Sequence, residues 1–281
     1  MLIHAYMNKR YGMGLGDFIR GSLSCYQLCS IYKIPLAIDF RNHSVGQYLD
    51  LNVKFRQCEP NEIVDLQDIR KFTVSCLKHY LIRRQKNKDI KMLRKKDMYI
   101  YTNVWPRFPL AEREKEFAKS FLVPNAELQS AINSALPIFD EYEIVHIRSG
   151  DLFAFDTQIG ETFDRSTDQL LESLSVIETI KNSTHRKIIV MSDSLKLKRL
   201  LSSKYGLISL NTVPTHTALE SHDEENTSND YKDLGTRDTL VDFFIMSQAK
   251  HIHQFSVQHW GSGFSNSINW IYDVPLTTYK I

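Results

Sequence analysis

The chain of 281 residues is 42% hydrophobic with a formal net charge of +2, which supplies a full core and no global basic field that would argue for a nucleic-acid partner. Its four cysteines, Cys25, Cys29, Cys58 and Cys76, form no CxxC and have no histidine pair nearby at zinc spacing, which argues for reduced, buried thiols rather than a disulfide scaffold or a zinc site. No apolar run reaches the roughly 18 residues of a membrane span and no signal-peptide pattern opens the sequence, so the expectation is a soluble, cytoplasmic protein or a domain excised from a longer chain.

Leu2 to Met7, "LIHAYM", reads as a buried strand. The glycine-rich "YGMGLGDFIRG" follows and runs into a helix predicted over Asp17 to Tyr32 from the spacing of Phe18, Ile19, Leu23, Tyr26, Leu28 and Ile31. Ile34 to Phe40 is a second strand, completing a βαβ unit and signalling a parallel sheet. Lys78 to Lys96 holds nine Lys and Arg against one Asp. A solvated face is the expected role of that run, with attraction of an anionic acceptor or a membrane surface as the alternative. Met98 to Trp105 is a predicted strand broken by "PRFP", and one helix is predicted over Glu112 to Ala135.

A second alternation starts at Glu143. It runs through strand and loop in "EIVHIRSGD", an amphipathic helix over Thr167 to Lys181, strand and loop in "KIIVMSDS", a helix over Leu195 to Tyr205 and a short strand "LISL". Thr212 to Gly235 is polar and expected to be a long mobile loop. A helix over Arg237 to Lys250, a strand "HIHQFS" and a small-residue turn "GSGFSNS" opening a helix over Asn266 to Tyr272 complete the chain. The predicted fold is α/β, with two Rossmann-like lobes, 1–136 and 137–281, split near Pro137 and a ligand cleft between them.

Two explanations compete for the glycine loop. As a G-x-G-x-x-G dinucleotide fingerprint, Gly12 and Gly14 take the first two positions and Asp39 the ribose-binding acid, but Asp17 stands at the third, where the helix packs on the strand and a pyrophosphate approaches. Otherwise the bare backbone at Gly14 and Gly16 touches a phosphate or a sugar, or simply supplies a turn at positive φ. In the second half, Arg148 sits at a strand end, where ligands bind in open α/β sheets, and suits a diphosphate through bidentate bonds; His146 and Asp151 orient it or contact a base. Asp193 at the next strand end matches the N1–H and exocyclic amine of guanine, or else caps the helix from Leu195. Ser262, Gly263 and Phe264 open the last helix, where free N–H groups and the dipole favour an anion, or form an ordinary cap.

Taken in order, "GLGD", "HIRSGD", "VMSDS" and "DFFIMSQAKHIHQFSVQHWGSGFSNSINWI" resemble the fucosyltransferases of GT-B fold, the superfamily of α1,2-, core α1,6-, nodulation and protein O-fucosyltransferases, over nearly the whole chain. The resemblance implies a GT-B fold, with lobe 1–136 on the acceptor side and lobe 137–281 binding the nucleotide sugar, and an inverting, metal-independent transfer of L-fucose from GDP-β-L-fucose to a glycan hydroxyl. It implies no cofactor, a nucleotide sugar and a glycan acceptor as partners, and no nucleic acid. Arg148 would bind the β-phosphate and stabilise the departing diphosphate, His146 and Asp193 would hold guanine or ribose, and Ser262 to Phe264 would close on the phosphates. "FSVQ", Phe255 to Gln258, is the alternative register for that final motif. The acceptor base falls on Asp156, where the core enzymes carry Glu, or on Asp17.

The chain also departs from the family pattern. Ser149 replaces the second arginine of the motif, leaving the phosphate grip to be completed by Arg20 or Arg165, and Leu152 replaces a lysine. Trp105 and Phe108 in "VWPRFP" offer either an aromatic platform for a sugar ring or core packing. The alternatives are a GT-B transferase using another nucleotide sugar, an NAD(P)-dependent Rossmann oxidoreductase, for which no Tyr-x-x-x-Lys pair is evident, and a non-catalytic glycan- or nucleotide-binding module.

Overall fold

The computed structural model describes residues 1–7, 13–50, 59, 62–66, 77–78, 97–136, 141–148, 174–213, 229–256 and 258–281. The chain divides into two compact units, one built on Met1–Gln129 and the other on Ser130–His216 and Ser228–Ile281.

In the first unit β1 (Leu2–Met7) leads into α1 (Leu15–Tyr32), then β2 (Leu36–Asn42), β3 (Val64–Leu66) and β4 (Met98–Thr102). These strands form a parallel sheet of order β2-β1-β4-β3. The expected βαβ start is therefore present. β1 is buried along its length, as a parallel strand covered on both faces must be, which is why it reads as an apolar run. α1 packs with Cys25, Leu28 and Cys29 against Leu2, Leu66 and Ile100.

The helix predicted over Glu112 to Ala135 is two helices, α2 (Glu112–Phe121) and α3 (Ala126–Ala135). Pro124 cannot continue the hydrogen-bond ladder and disfavours helical geometry at Val123. It bridges Leu49 instead, while the Asn125 carboxamide oxygen accepts from the Leu128 N–H and starts the next helix.

The second unit holds β5 (Tyr142–Ile147), α4 (Val176–Ser183), β6 (Lys187–Ser192), α5 (Leu195–Tyr205), β7 (Ile208–Ser209), α6 (Asn229–Met246), β8 (His251–Ser256), α7 (Gly263–Tyr272) and β9 (Leu276–Lys280). Its sheet is parallel throughout, in the order β7-β6-β5-β8-β9. Val145, Ile147, Ile188 and Val190 meet Ile177, Ile180, Leu197 and Leu201 in its core.

Several elements differ from expectation. β4 ends at Thr102 rather than Trp105, the described part of the helix expected over Thr167 to Lys181 spans Val176–Ser183, and α6 ends at Met246 rather than Lys250. α6 begins at Asn229, inside the stretch expected to be loop, because "NDYKD" lacks the apolar periodicity that marks a helix. α7 begins three residues before the expected Asn266. β9, a half-buried strand at the sheet edge, gave no clear alternation. Residues 151–173, 214–228 and most of the basic run lie outside the described residues.

Helix α1 approaches β4 closely at Gly21. A Cβ built there would stand 1.8 Å from the Thr102 carbonyl oxygen and 3.0 Å from the His4 ring. Backbone cannot yield that distance cheaply, so Gly21→Ala should destabilise the protein by about 1–3 kcal/mol in urea unfolding; an unchanged midpoint would show that α1 can shift off β4.

Candidate functional site

Parallel strands all leave a sheet by the same edge, and ligands collect where neighbouring connections diverge. In the second unit β5 is central, with β6 on one side and β8 on the other. The carboxyl ends of these three strands carry Arg148, Asp193 and the turn into α7 respectively. The Arg148 backbone N–H donates to the Phe255 carbonyl at 3.3 Å, so the residue after β5 stays registered on β8. Its Nε is a buried donor for which no acceptor stands among the described residues, although the residue has other interactions.

His146, one turn of pleat earlier, is buried and bonded through Nδ1 to the Ser265 hydroxyl. Phe264 lies 5.8 Å from its ring and meets Phe243 edge-on at 5.3 Å. Burial pushes the His146 imidazole down to about 4, with Asp193 raising it and Arg148 lowering it further. The ring is therefore a neutral tie between β5 and α7.

Asp193 does not cap the helix that follows it. The Ser194 hydroxyl accepts from the Leu197 N–H at 3.2 Å and performs that task. Ser262 is the residue at the N-terminal boundary of α7, extended at φ −93° and ψ 128°. Its own N–H is taken by the Gln254 side-chain oxygen at 2.8 Å, so the helix dipole and the N–H groups of Gly263, Phe264 and Ser265 are what the first turn presents.

Gln254 was not singled out in the sequence, and neither was Ser265. The Gln254 amide nitrogen donates to Thr278 Oγ1 at 2.7 Å and Asn266 Oδ1 at 3.0 Å. Gly261, at φ +78°, lets the chain turn directly over this amide, since a Cβ there would meet the Gln254 Nε2 at 2.3 Å. Gln254 pairs with His146 in the β5–β8 register, so adjacent positions on two strands hold the same helix turn. Phe255, of the alternative register, is a fully buried core residue stacked on Tyr279.

In the first unit, Gly14 precedes α1 at φ −70° and ψ 163°, and Gly16 lies within the helix. Positive φ belongs only to Gly206 and Gly261 among the described glycines, so Gly14 and Gly16 are not turn residues of that kind. Met13 is pinned between two strands, its carbonyl accepting from the Tyr6 hydroxyl at 2.9 Å and its N–H donating to the Tyr101 oxygen.

Asp17 pairs with Arg20 at 3.0 Å, and Arg20 also donates to the Asn103 carbonyl and lies 4.2 Å above the Trp105 ring. Arg20 is thus committed within the first unit. Asp39 is buried and receives the Arg41 backbone N–H at 3.0 Å, its Nε at 2.8 Å and an NH2 at 2.7 Å. Asp151, Asp156, Arg165, Ser149, Leu152 and Gly12 lie outside the described residues. Among the described residues no three His, Cys, Asp or Glu side chains converge as a metal site would need, and no helix is long and apolar enough to cross a membrane.

No protein-family model matches the sequence, and no curated protein matches it at sequence level. Solved structures do match. The NodZ alpha-1,6-fucosyltransferase soaked with GDP-fucose superposes with a TM-score of 0.52 at 10% identity, over 96% of this chain and 92% of that one. NodZ from Bradyrhizobium gives 0.53 at 11% identity, over 95% and 91%. A point mutant of Arabidopsis thaliana FUT1 in complex with GDP gives 0.58 at 9% identity, over 99% of this chain and 69% of that one. The chain has the GT-B fold of the fucosyltransferases. At this identity a GT-B backbone is shared while the side chains on it must be judged one by one.

The buried imidazoles give a pH dependence. His4, held by Ser22 and Thr102, is pushed down to about 3 by burial, as His146 is to about 4. Both pKa values fall below the unfolded one, so their stability contribution is complete above about 6.5 and is lost as pH falls toward the folded values. Urea titrations of wild type and His146→Asn should converge on acidification from pH 7 to pH 5 by on the order of 1–2 kcal/mol. A constant gap would mean that His146 takes up its proton at the same pH in the folded and unfolded states.

Proposed function

We propose that this protein transfers L-fucose from GDP-β-L-fucose to a glycan hydroxyl, with inversion and without a metal ion. The observation that carries this is the gathering of Arg148, Asp193 and the first turn of α7 at three adjacent strand ends of the second unit, in a chain with the fold of fucosyltransferases.

Arg148 binds the β-phosphate, and Asp193 reads guanine or ribose together with His146. Asp151 orients Arg148, and the Ser262–Gly263–Phe264 turn closes on the diphosphate. Gly14, at the start of α1, offers bare backbone that can touch a phosphate or a sugar, while Gly16 lies inside the helix. The C1–O bond to the diphosphate breaks with its electron pair leaving on the phosphate oxygen, where the guanidinium and the helix terminus stabilise the charge. The acceptor oxygen bonds to C1 from the opposite face, and its proton passes to a carboxylate, Asp156 or Asp17. One displacement inverts the anomeric carbon.

The dinucleotide alternative is weakened by Asp39. A ribose-binding acid must offer its oxygens to two hydroxyls, whereas this one is buried and spent on three donors from Arg41.

GDP should raise the melting temperature with or without EDTA, while UDP, ADP and NAD⁺ should not, and Arg148→Ala should remove the GDP effect. With labelled GDP-fucose and an accepted glycan, Arg148→Ala should lower kcat by roughly 10²–10³-fold, the cost of one charge-stabilising donor. Stabilisation by NAD⁺ alone would overturn the proposal.

A further inference from the structure

The first unit has its own strand-end site. Its sheet order β2-β1-β4-β3 puts the connections after β1 and β4 side by side, with β2 and β3 leading away in opposite directions. After β1 come the glycine loop and Asp17; after β4 comes the segment Asn103 to Phe108.

One face of α1 holds the backbone of that segment. Arg20 Nε donates to the Asn103 carbonyl at 2.9 Å and Ser24 Oγ to the Val104 carbonyl at 2.6 Å. The Gln27 carboxamide both donates to the Arg107 carbonyl at 2.9 Å and accepts its N–H at 2.7 Å. Residues four and three apart share a helix face, so this is one polar stripe reading one loop. With Gly21 seated against the Thr102 carbonyl, the loop is fixed before any ligand arrives, which lowers the cost of binding.

The groups so fixed are of one chemical kind. Arg20 holds the Asp17 carboxylate at 3.0 Å and the Trp105 ring at 4.2 Å, and Phe108 meets Trp105 edge-on at 6.4 Å. The guanidinium side chain is only 11% exposed, whereas the Asp17 side chain is 37% and Phe108 44% exposed. What the solvent meets is therefore a carboxylate beside aromatic rings, with the cation neutralising it from beneath. An aromatic face attracts the weakly positive C–H groups of a pyranose, and a carboxylate accepts its hydroxyl protons.

We propose that Asp17, Trp105 and Phe108 form a subsite for a neutral sugar ring, the acceptor of the reaction. The name "acceptor" rests on the fucosyl-transfer proposal above; the sugar-binding surface does not.

Saturation-transfer NMR with lactose, cellobiose and N,N′-diacetylchitobiose on the whole protein tests the surface without the donor. At least one disaccharide should bind wild type, and Trp105→Ala, Phe108→Ala and Asp17→Ala should each weaken it about tenfold. All three variants should keep the GDP-induced thermal shift. In the transfer assay Trp105→Ala and Phe108→Ala should raise the acceptor KM by a similar factor and leave that of GDP-fucose unchanged.

Phe108 is exposed, so Phe108→Ala remains informative if Trp105→Ala fails to fold. Failure of all three disaccharides to bind wild type, or unchanged affinity in folded Phe108→Ala, overturns the subsite. Disaccharide binding sensitive to these substitutions, in a protein that neither binds GDP nor transfers fucose, retains the sugar surface and sinks the reaction instead.

Discussion

Backbone at the edge of a parallel sheet has lost its strand partners, and a loop there keeps one conformation only if side chains replace them. This constraint governs both units. In the first, Gln27 closes a two-point amide bond on Arg107, and Ser24 and Arg20 hold the two carbonyls nearer the strand. In the second, Gln254 takes the Ser262 N–H and is itself held by Asn266 and Thr278. A glutamine suits the task because one planar group both donates and accepts. Without these amides the site side chains would hang on loops whose ordering the ligand would have to supply.

Burial also decides which charges the two units tolerate. His4 and His146 are kept neutral by desolvation, each with a hydroxyl partner on Nδ1. Lys198 is fully buried, yet donates to the Leu210 carbonyl and to both oxygens of Thr212, whose hydroxyl passes a bond on to Asp242. Asp242 is pushed up to about 6 by burial. Acidification therefore acts in two senses: it withdraws the stability held in neutral histidines, while a raised carboxyl works the other way as it takes up its proton in the folded state.

How far the sequence could be read depended on the range of the interactions concerned. The strands β1, β6 and β8 and the helices α1 and α5 are local patterns, and their periodicity sufficed. The break at Pro124 was equally local and was obscured by apolar spacing that continues across it. Gly21, Gln27 and Gln254 are different: each is an unremarkable residue until its partner is known, and those of Gly21 and Gln27 lie some 80 residues away in the chain. Asp17 and Asp39 were conspicuous acids whose use depended on which arginine reached them. Ser194 took the capping role that was the alternative to a guanine contact for Asp193.

Those arginines separate the two strand-end sites chemically. Arg20 and Arg41 each close on a carboxylate of their own unit, so the first unit's loops display chemistry suited to hydroxyls. The second unit places Arg148 and a helix N-terminus at one edge, both suited to negative charge. A dinucleotide oxidoreductase would require the first unit to do the opposite: an unencumbered acid for ribose and a helix start suited to pyrophosphate, where Asp17 in the first turn opposes an anion. Group transfer from a diphosphate to a neutral hydroxyl asks for one anion site and one polar, aromatic site. The proposed transfer would divide these roles between the two units.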